Sequence, residues 1–336
     1  MLNNDSSGKK VWAARPYRTF VKKTVLAPSV LFLLLFLNAC HSAFSGNARA
    51  IREGKTVITS TGETERDNTP VVLIPSLEGD DILGNEKISI NISNASEGYI
   101  AVSYLGDSDR AKLQLTGNGQ VTYTYDLFTG EDEVIPLTAG SGTYVSTVYE
   151  NIDANQYATI FATEFTVDIT NTYGPFLYPN MYVNFSPDSE VVALAAILAK
   201  GSTSDLEVVS RIYEYVIDNI SYDHEKAETV ESGYIPDVDE ILSLRKGICF
   251  DYAAMMSAML RSQRIPSRLE IGYAGDAYHA WISIYTPDTG WLEGMIVFDG
   301  TTWSLVDPTF AANTDNADDL ASFIGSGDNY FTKYVY

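Results

Sequence analysis

The sequence predicts an α+β protein in which an all-β domain precedes a region of helices and antiparallel strands. Between about residues 85 and 170, short alternating segments rich in Tyr, Val, Thr and Ile lie between turn residues. After Gly174-Pro175 the periodicity becomes helical, and extended segments return after Pro266. At 336 residues, with 45% hydrophobic residues, the chain is long and apolar enough for about two domains with cores of their own.

The composition excludes several classes of function. With 44 acidic and 22 basic side chains, the net charge of −22 argues against nucleic acid as a partner, because phosphate binding needs a basic surface. Two cysteines and three histidines cannot form a disulfide framework or a Cys-rich zinc site. His224 and His279 have no third ligand at a suitable spacing, so we expect neither a metal nor another cofactor, and His224 reads as a solvated loop residue.

The N-terminus has the features of an export signal. Six basic residues between positions 9 and 23 precede the apolar run Val25–Leu37, which is too short for a membrane span of about 20 residues and suits a signal peptide. The run ends in Leu37-Asn38-Ala39-Cys40, which resembles the lipobox of bacterial lipoproteins, although Asn38 departs from it. The resemblance implies a signal peptide over 1–40, lipidation at Cys40, and a location on the cell membrane, facing outside the cytoplasm. The alternatives are ordinary secretion and an uncleaved anchor, with Cys40 incidental.

The exported chain divides into three further parts. We predict a flexible tether over 41–84, because this stretch is polar and lacks periodicity. An all-β, sandwich-like domain follows over 85–172, with Gly117-Asn118-Gly119 as a hairpin turn. Its tyrosines could bind sugar or protein, or could simply pack. The strands are predicted at 87–93, 99–105, 111–117, 120–128, 142–150 and 163–169.

The last part, 176–336, contains the residues able to do chemistry. The predicted helices run from Ser186-Pro187 to Gly201, from a capping box at Ser204 to Asn219, over Val238–Lys246, and over Cys249–Arg264. The predicted strands are Arg268–Ala274, His279–Thr286, Met295–Phe298 and Trp303–Val306.

Three residues of this part could form a catalytic set. Cys249 opens an apolar helix, where the helix dipole favours a thiolate, although a free cysteine is often only a small buried hydrophobe. His279 begins a strand and is the one histidine that follows Cys249 in the sequence. Asp307 ends another strand, where a carboxylate could orient an imidazole, or could simply mark a turn.

Taken together, these residues and their surroundings resemble the transglutaminase-like superfamily, which has a papain-like fold. Four blocks carry the resemblance in order: Gly247-Ile248-Cys249-Phe250-Asp251-Tyr252-Ala253, Arg264-Ile265-Pro266-Ser267-Arg268, His279-Ala280-Trp281 and Asp307-Pro308-Thr309. The resemblance covers about residues 206–310. It implies a transglutaminase-like core of helices packed on an antiparallel sheet, with Cys249 as nucleophile, His279 as general base and acid, and Asp307 as the residue that orients His279.

Two departures concern specificity. Ile248 and Phe250 flank the cysteine where animal transglutaminases have Gln and Trp, and the 28 positions from His279 to Asp307 exceed the spacing in compact members of the family. Substrate and calcium dependence therefore stay open. For the oxyanion hole we expect the Cys249 N–H and a second donor, for which Tyr222 is the candidate, with simple packing as its alternative role.

The predicted function is that of an exported cysteine enzyme that acts on amide bonds through a thioester, by hydrolysis or by transamidation. Its partners would be a peptide or protein amide, cell-wall peptides included, and the membrane through the lipid anchor, but no nucleic acid. The alternative is a non-catalytic binding or scaffold lipoprotein that retains a transglutaminase-like domain.

Overall fold

The computed structural model describes residues 66–275, 277–293 and 330–336, together with the backbone of four short strands outside these ranges. Two of these strands, β1 (Asn3–Asn4) and β2 (Lys10–Val11), pair with each other. Apart from these two strands, the predicted signal peptide with Cys40 lies outside the described residues, and so does the predicted catalytic residue Asp307. None of the described helices is both long and apolar enough to cross a membrane.

The first part of the described chain is all-β, as predicted. It contains β3 (Ile82–Asn85), β4 (Ile88–Asn91), β5 (Tyr99–Tyr104), β6 (Ala111–Gly117), β7 (Thr122–Leu127), β8 (Asp132–Pro136), β9 (Gly142–Asp153) and β10 (Gln156–Val167). They form two antiparallel four-stranded sheets, in the orders β3-β4-β5-β8 and β10-β9-β6-β7. The sequence pattern did not predict β3 and β8, which lie outside the alternating segments.

Alternation and turn chemistry explain these sheets. In β6, Ala111, Leu113 and Leu115 are buried while the residues between them are half-buried, so one face turns toward the core. The β6–β7 hairpin turns through Asn118 and Gly119 with φ of 53° and 65°, the left-handed values that an Asn-Gly turn supplies. The buried faces of both sheets join one hydrophobic core, which gives a two-layered sandwich.

Five α-helices follow among the described residues. They are α1 (Glu190–Ala199), α2 (Asp205–Asn219), α3 (His224–Thr229), α4 (Val238–Leu244) and α5 (Cys249–Ser262). Four of them match the predicted helices to within a few residues. The short α3 was not predicted, and His224 is its exposed first residue rather than part of a loop.

Helix α5 lies at the centre of this part. Every residue from Asp251 to Ser262 is buried, so the helix is covered on all sides. Helices α1, α2 and α4 pack against it, and so does a sheet that follows it in the sequence.

That sheet is antiparallel and has the order β15-β14-β13-β18. Its strands are β13 (Ser267–Ala274), β14 (Ala277–Thr286), β15 (Gly290–Leu292) and β18 (Tyr330–Val335). A separate hairpin pairs β16 (Ile296–Phe298) with β17 (Trp303–Leu305), and β11 (Ser221–Tyr222) pairs in parallel with β12 (Lys246–Gly247). The strand β18 was not predicted.

The predicted tether is shorter than expected, because part of it is fixed to the helices. The Arg66 guanidinium forms an ion pair with Asp205 at 2.6 Å and donates to the carbonyl of Gln263, just after α5. The Val71 N–H donates to the carbonyl of Ser262 at 2.8 Å. From Arg66 onward the chain therefore lies along the helical part.

Two tyrosines of the sandwich pack against the end of the chain. The ring of Tyr125 lies 6.1 Å from that of Tyr336, and the ring of Tyr123 lies 5.5 Å from that of Tyr334. The Tyr123 hydroxyl also accepts the N–H of Val335 at 3.2 Å. For these two tyrosines the packing alternative is correct, and they join the sandwich to β18.

Candidate active site

Cys249 is the first residue of α5, and its thiol is unpaired and partly exposed. The N–H groups of a first helical turn lack carbonyl partners within the helix, and together with the helix dipole they stabilise negative charge. Phe250 is half-buried as well, and every later residue of α5 is buried, so Cys249 lies at the partly exposed end of the helix.

A buried carboxylate holds the peptide that precedes Cys249. Asp251 Oδ2 accepts the N–H of Ile248 at 2.9 Å and the Lys226 ammonium at 2.6 Å, while Oδ1 accepts the Tyr234 hydroxyl at 2.6 Å. Lys226 also donates to the Tyr234 oxygen at 2.6 Å. Burial and the adjacent carboxylate raise the pKa of Tyr234, so its phenol stays protonated and donates. We call these three side chains, Asp251, Lys226 and Tyr234, the Asp251 network.

The segment before Cys249 is fixed on its other side by β11. Tyr222 lies opposite Gly247 in the parallel pair, and the Asp223 N–H donates to the Gly247 carbonyl at 2.8 Å. A Cβ on Gly247 would lie 2.7 Å from the Cβ of Asp251, so only glycine fits there. The structure thus places Tyr222, the predicted oxyanion donor, beside the segment that leads into Cys249.

His279 is the third residue of β14 and is buried. It lies opposite Gly272 of β13. Its ring stacks with that of Trp281, with the centroids 6.2 Å apart. It alternates along the strand with Ala280 and Ile282, which belong to the core shared with α5.

The fold brings the start of α5 and the start of β14 to the same end of the helix–sheet unit. The Ser267 hydroxyl donates to the Ser257 carbonyl at 3.3 Å, and the Arg261 guanidinium donates to the Ser267 carbonyl at 2.8 Å. Gly272, which lies opposite His279, is five residues after Ser267 along β13, a distance of about 16 Å. Cys249 is twelve residues before Arg261 along α5, a distance of about 18 Å. Because Ser267 and Arg261 are in contact, the two distances start from the same place and end at the same end of the unit. Partial burial raises the pKa of Tyr278, and the nearby Cys249 adds to that shift, which agrees with this arrangement.

Of the five predicted site residues, the structure describes three: Tyr222 lies opposite Gly247, two residues before Cys249, and the strand that carries His279 begins at the same end of α5. Asp307 and Cys40 lie outside the described residues. Within the described ranges no group of His, Cys, Asp and Glu side chains has an arrangement suited to a metal ion.

The Asp251 network was not predicted from the sequence. An acidic residue at the third position of a helix is a known capping signal, and Asp251 stood inside the motif around Cys249, so it could have been found. Lys226 and Tyr234 carry no comparable signal. They come from α3 and from the loop before α4, and only the folded chain brings them to Asp251.

The comparison with protein families agrees with this geometry. Residues 192–294 match the model of the transglutaminase-like superfamily. UPF0252 protein MJ1282 of Methanocaldococcus jannaschii is 25% identical over 237 residues, which cover 65% of this chain and 67% of that protein.

Two solved structures show more distant similarity. A candidate cysteine protease from Cytophaga hutchinsonii is 18% identical, with a TM-score of 0.32, and the match covers 61% of this chain and 68% of that one. The transglutaminase of red sea bream is 14% identical, with a TM-score of 0.27, and the match covers 63% of this chain and 48% of that one.

The family match spans β11, the motif at the start of α5 and the His279 strand, which carry Tyr222, Cys249 and His279. The chain therefore contains a transglutaminase-like domain.

Proposed function

We propose that the chain is a cysteine enzyme that acts on amide bonds through Cys249, His279 and Asp307. The observation that carries the proposal is the position of Cys249. Cys249 is the first residue of a largely buried helix, and this end of the helix lies at the same end of the fold as the start of the His279 strand.

In the proposed reaction, the Cys249 thiolate attacks the amide carbonyl carbon and forms a tetrahedral intermediate. The C–N bond then breaks, His279 gives a proton to the leaving nitrogen, and a thioester to Cys249 remains. Water or an amine attacks the thioester, His279 takes up its proton, and the free thiolate is restored. Asp307 would orient the imidazole, and the Cys249 N–H with Tyr222 would stabilise the oxyanion.

The proposal makes one geometric demand on His279. Because side chains alternate along a strand, His279 lies on the same face of β14 as Trp281. Ala280 and Ile282 lie on the other face, which packs on α5. The imidazole must therefore reach the thiol past the end of β14, which begins only two residues before His279.

The decisive test is the activity of two variants and their control on glutamine-containing peptides, measured as ammonia release and as amine incorporation. We expect Cys249→Ala and His279→Gln to lower kcat at least about a thousandfold, because nucleophile and base act as one unit. Asp218→Asn, which changes an exposed residue of α2, serves as the control and should keep wild-type activity. Full activity in Cys249→Ala would refute the assignment.

The rate of thiol alkylation separates the enzyme from a scaffold protein. If Cys249 is held as a thiolate, iodoacetamide should label it rapidly near neutral pH, and the rate in His279→Gln should fall or shift to higher pH. A slow rate in the wild type, unchanged by His279→Gln, would favour the non-catalytic alternative.

We favour hydrolysis over crosslinking for an exported protein, with peptides of the cell wall or of other surface proteins as substrates. Product analysis with and without an added primary amine distinguishes the two outcomes. An amide product that outweighs the free acid at millimolar amine would reverse this preference.

We also propose that the protein is exported and anchored through a lipid on Cys40. Metabolic labelling with an alkyne analogue of palmitate should mark the wild type and Cys249→Ala but not Cys40→Ala. Absence of label from the wild type would remove the anchor from the proposal, without affecting the catalytic assignment.

A further inference from the structure

Three exposed aromatic side chains form a continuous row across the end of the sheet. Tyr278 of β14 is 59% exposed, Tyr273 of β13 is 41% exposed, and Phe331 of β18 is 67% exposed. Tyr273 lies directly opposite Tyr278 on one side and Phe331 on the other. Residues that lie directly opposite each other share a face of the sheet, so the three rings stand side by side. We call them the aromatic row.

The row lies just beyond the N-terminal end of α5. Leu269, four residues before Tyr273 and therefore on the same face, belongs to the core that α5 covers. The helix begins at Cys249 and does not cover the sheet beyond this residue, where the three rings of the row are exposed. The contribution of Cys249 to the raised pKa of Tyr278, after the larger effect of partial burial, agrees with this proximity.

The shape of the row fits an apolar side chain. The rings of Tyr273 and Tyr278 are 5.5 Å apart at an angle of 66°, so they offer one ring face and one ring edge to a third group. Three adjacent strands span about 10 Å, which is the length of about three residues of extended peptide. Neighbouring aromatic rings left in water beside a nucleophile mark a binding surface rather than a folding requirement.

We propose that the aromatic row is a substrate subsite, which binds an aromatic or large aliphatic side chain of a peptide next to the amide that Cys249 attacks. This inference rests on the proposed function and names its substrate class. A peptide suits the row better than a sugar, because the tilted rings form a notch and not one flat platform. Strongly acidic peptides are disfavoured by the net charge of −22.

The test compares two alkylating reagents that differ only in one side chain, the chloromethyl ketones of acetyl-Phe and acetyl-Ala. Modification of Cys249 in the full chain is followed by peptide mass mapping. In the wild type we expect the Phe reagent to react roughly tenfold faster than the Ala reagent. In the double variant Tyr273→Ala/Phe331→Ala the ratio of the two rates should fall toward one. Ile197→Ala, which removes a 71% exposed side chain from α1, is the control and should keep the wild-type ratio.

An equal rate for both reagents in the wild type, or an unchanged ratio in the double variant, would overturn the inference. A second measurement separates it from the catalytic proposal: calorimetric titration of Cys249→Ala with tripeptide amides that contain Phe or Ala. Tighter binding of the Phe peptide that depends on Tyr273 and Phe331 supports the subsite, even if neither reagent modifies Cys249 and the catalytic proposal fails. Binding of a neutral oligosaccharide by the row, without any preference for the Phe peptide, would count against the subsite.

Discussion

At the residue scale, one carboxylate links helix α5 to a neighbouring helix and loop. Asp251 is fully buried and accepts three hydrogen bonds, from the Ile248 N–H, Lys226 and Tyr234. A buried charge is stable only when it is paired and hydrogen-bonded, and Asp251 meets both conditions. The position of Cys249 therefore depends on Asp251 and on the two side chains that bind it.

We predict that Asp251→Asn lowers the free energy of unfolding by about 2 kcal/mol, because the Lys226 ammonium and two further donors lose their anionic acceptor. We also expect kcat to fall more than KM changes, because the displaced backbone carries the nucleophile and not the subsite. Urea unfolding and steady-state kinetics measure the two effects. Asp218→Asn, an exposed position on α2, is the control. Wild-type stability in Asp251→Asn would contradict the role of the network.

A second carboxylate predicts how stability depends on pH. Glu150 forms an ion pair with Lys87 at 2.5 Å and accepts the hydroxyl of Tyr104. The Lys87 hydrogen bond, followed by that of Tyr104, lowers the pKa of Glu150 below its ordinary value. A carboxyl with a lowered folded pKa stabilises the fold above its ordinary pKa, and this contribution is lost as the pH falls through the folded pKa.

We therefore predict that Glu150→Gln costs about 0.5–1 kcal/mol of stability at pH 7, because solvent screens a pair whose Lys87 side chain is exposed, and that the difference from wild type shrinks toward pH 3. Thermal unfolding of both proteins across this range measures the effect. Glu164→Gln, an exposed residue on β10, should show no such trend. A difference that stays constant with pH would contradict the assigned ion pair.

At the element scale, the start of α2 shows how closely a capping signal predicts a helix boundary. The Ser204 hydroxyl accepts the Glu207 N–H at 3.2 Å, as the predicted capping box requires. Glu207, however, accepts the N–H of Thr203 at 2.8 Å, one residue before the position that a standard box uses. The predicted start of α2 is therefore correct, although the Glu207 side chain binds the N–H of Thr203 instead of that of Ser204.

We predict that Ser204→Ala destabilises the protein by about 1 kcal/mol, because the first turn of α2 loses a side-chain acceptor. Ser210→Ala, at an exposed position in the middle of the same helix, should change stability by less than about 0.5 kcal/mol. Chemical denaturation of the three proteins provides the comparison. Equal effects of the two substitutions would argue against the cap.

At the scale of the whole molecule, one hydrophobic core runs through the sandwich and the helical part. Tyr123 and Tyr125 of the sandwich contact Tyr334 and Tyr336 at the end of the chain, so the two parts share aromatic packing. A shared core couples their unfolding.

We predict a single cooperative thermal transition. Leu115→Ala in the sandwich and Val216→Ala in α2 each remove buried volume at a cost of about 2–4 kcal/mol. Both should lower the midpoint of that one transition, as seen by calorimetry and by circular dichroism. Two resolved transitions, each moved by only one of the substitutions, would show that the parts unfold independently.

Features set by residues that are close together in the sequence were predictable, whereas contacts between residues far apart in the sequence were not. Local signals such as the Asn118-Gly119 turn, the Ser204 cap and the glycine before Cys249 place most helices and strands. The α+β class follows from them, whereas the transglutaminase-like domain was predicted from motifs that resemble that superfamily. Contacts between distant positions were not predictable, because no local pattern encodes them. Arg261, for example, is fully buried on the carbonyls of Tyr178, Ser267 and Tyr336. The same holds for Lys226 and Tyr234 at Asp251, and for the docking of Arg66.

The contacts of Arg66 also show which end of α5 lies next to the first residues of the continuous described chain. Arg66 contacts Gln263 beyond the last turn of α5, whereas Cys249 begins the first turn, about 21 Å away along a helix of 14 residues. Arg66 thus lies at the pole opposite the thiol, and the 25 residues between Cys40 and Arg66 can span at most about 90 Å. If Cys40 carries a lipid, the anchored segment would join the domain at the end opposite Cys249 and would leave the thiol end clear of the attachment point.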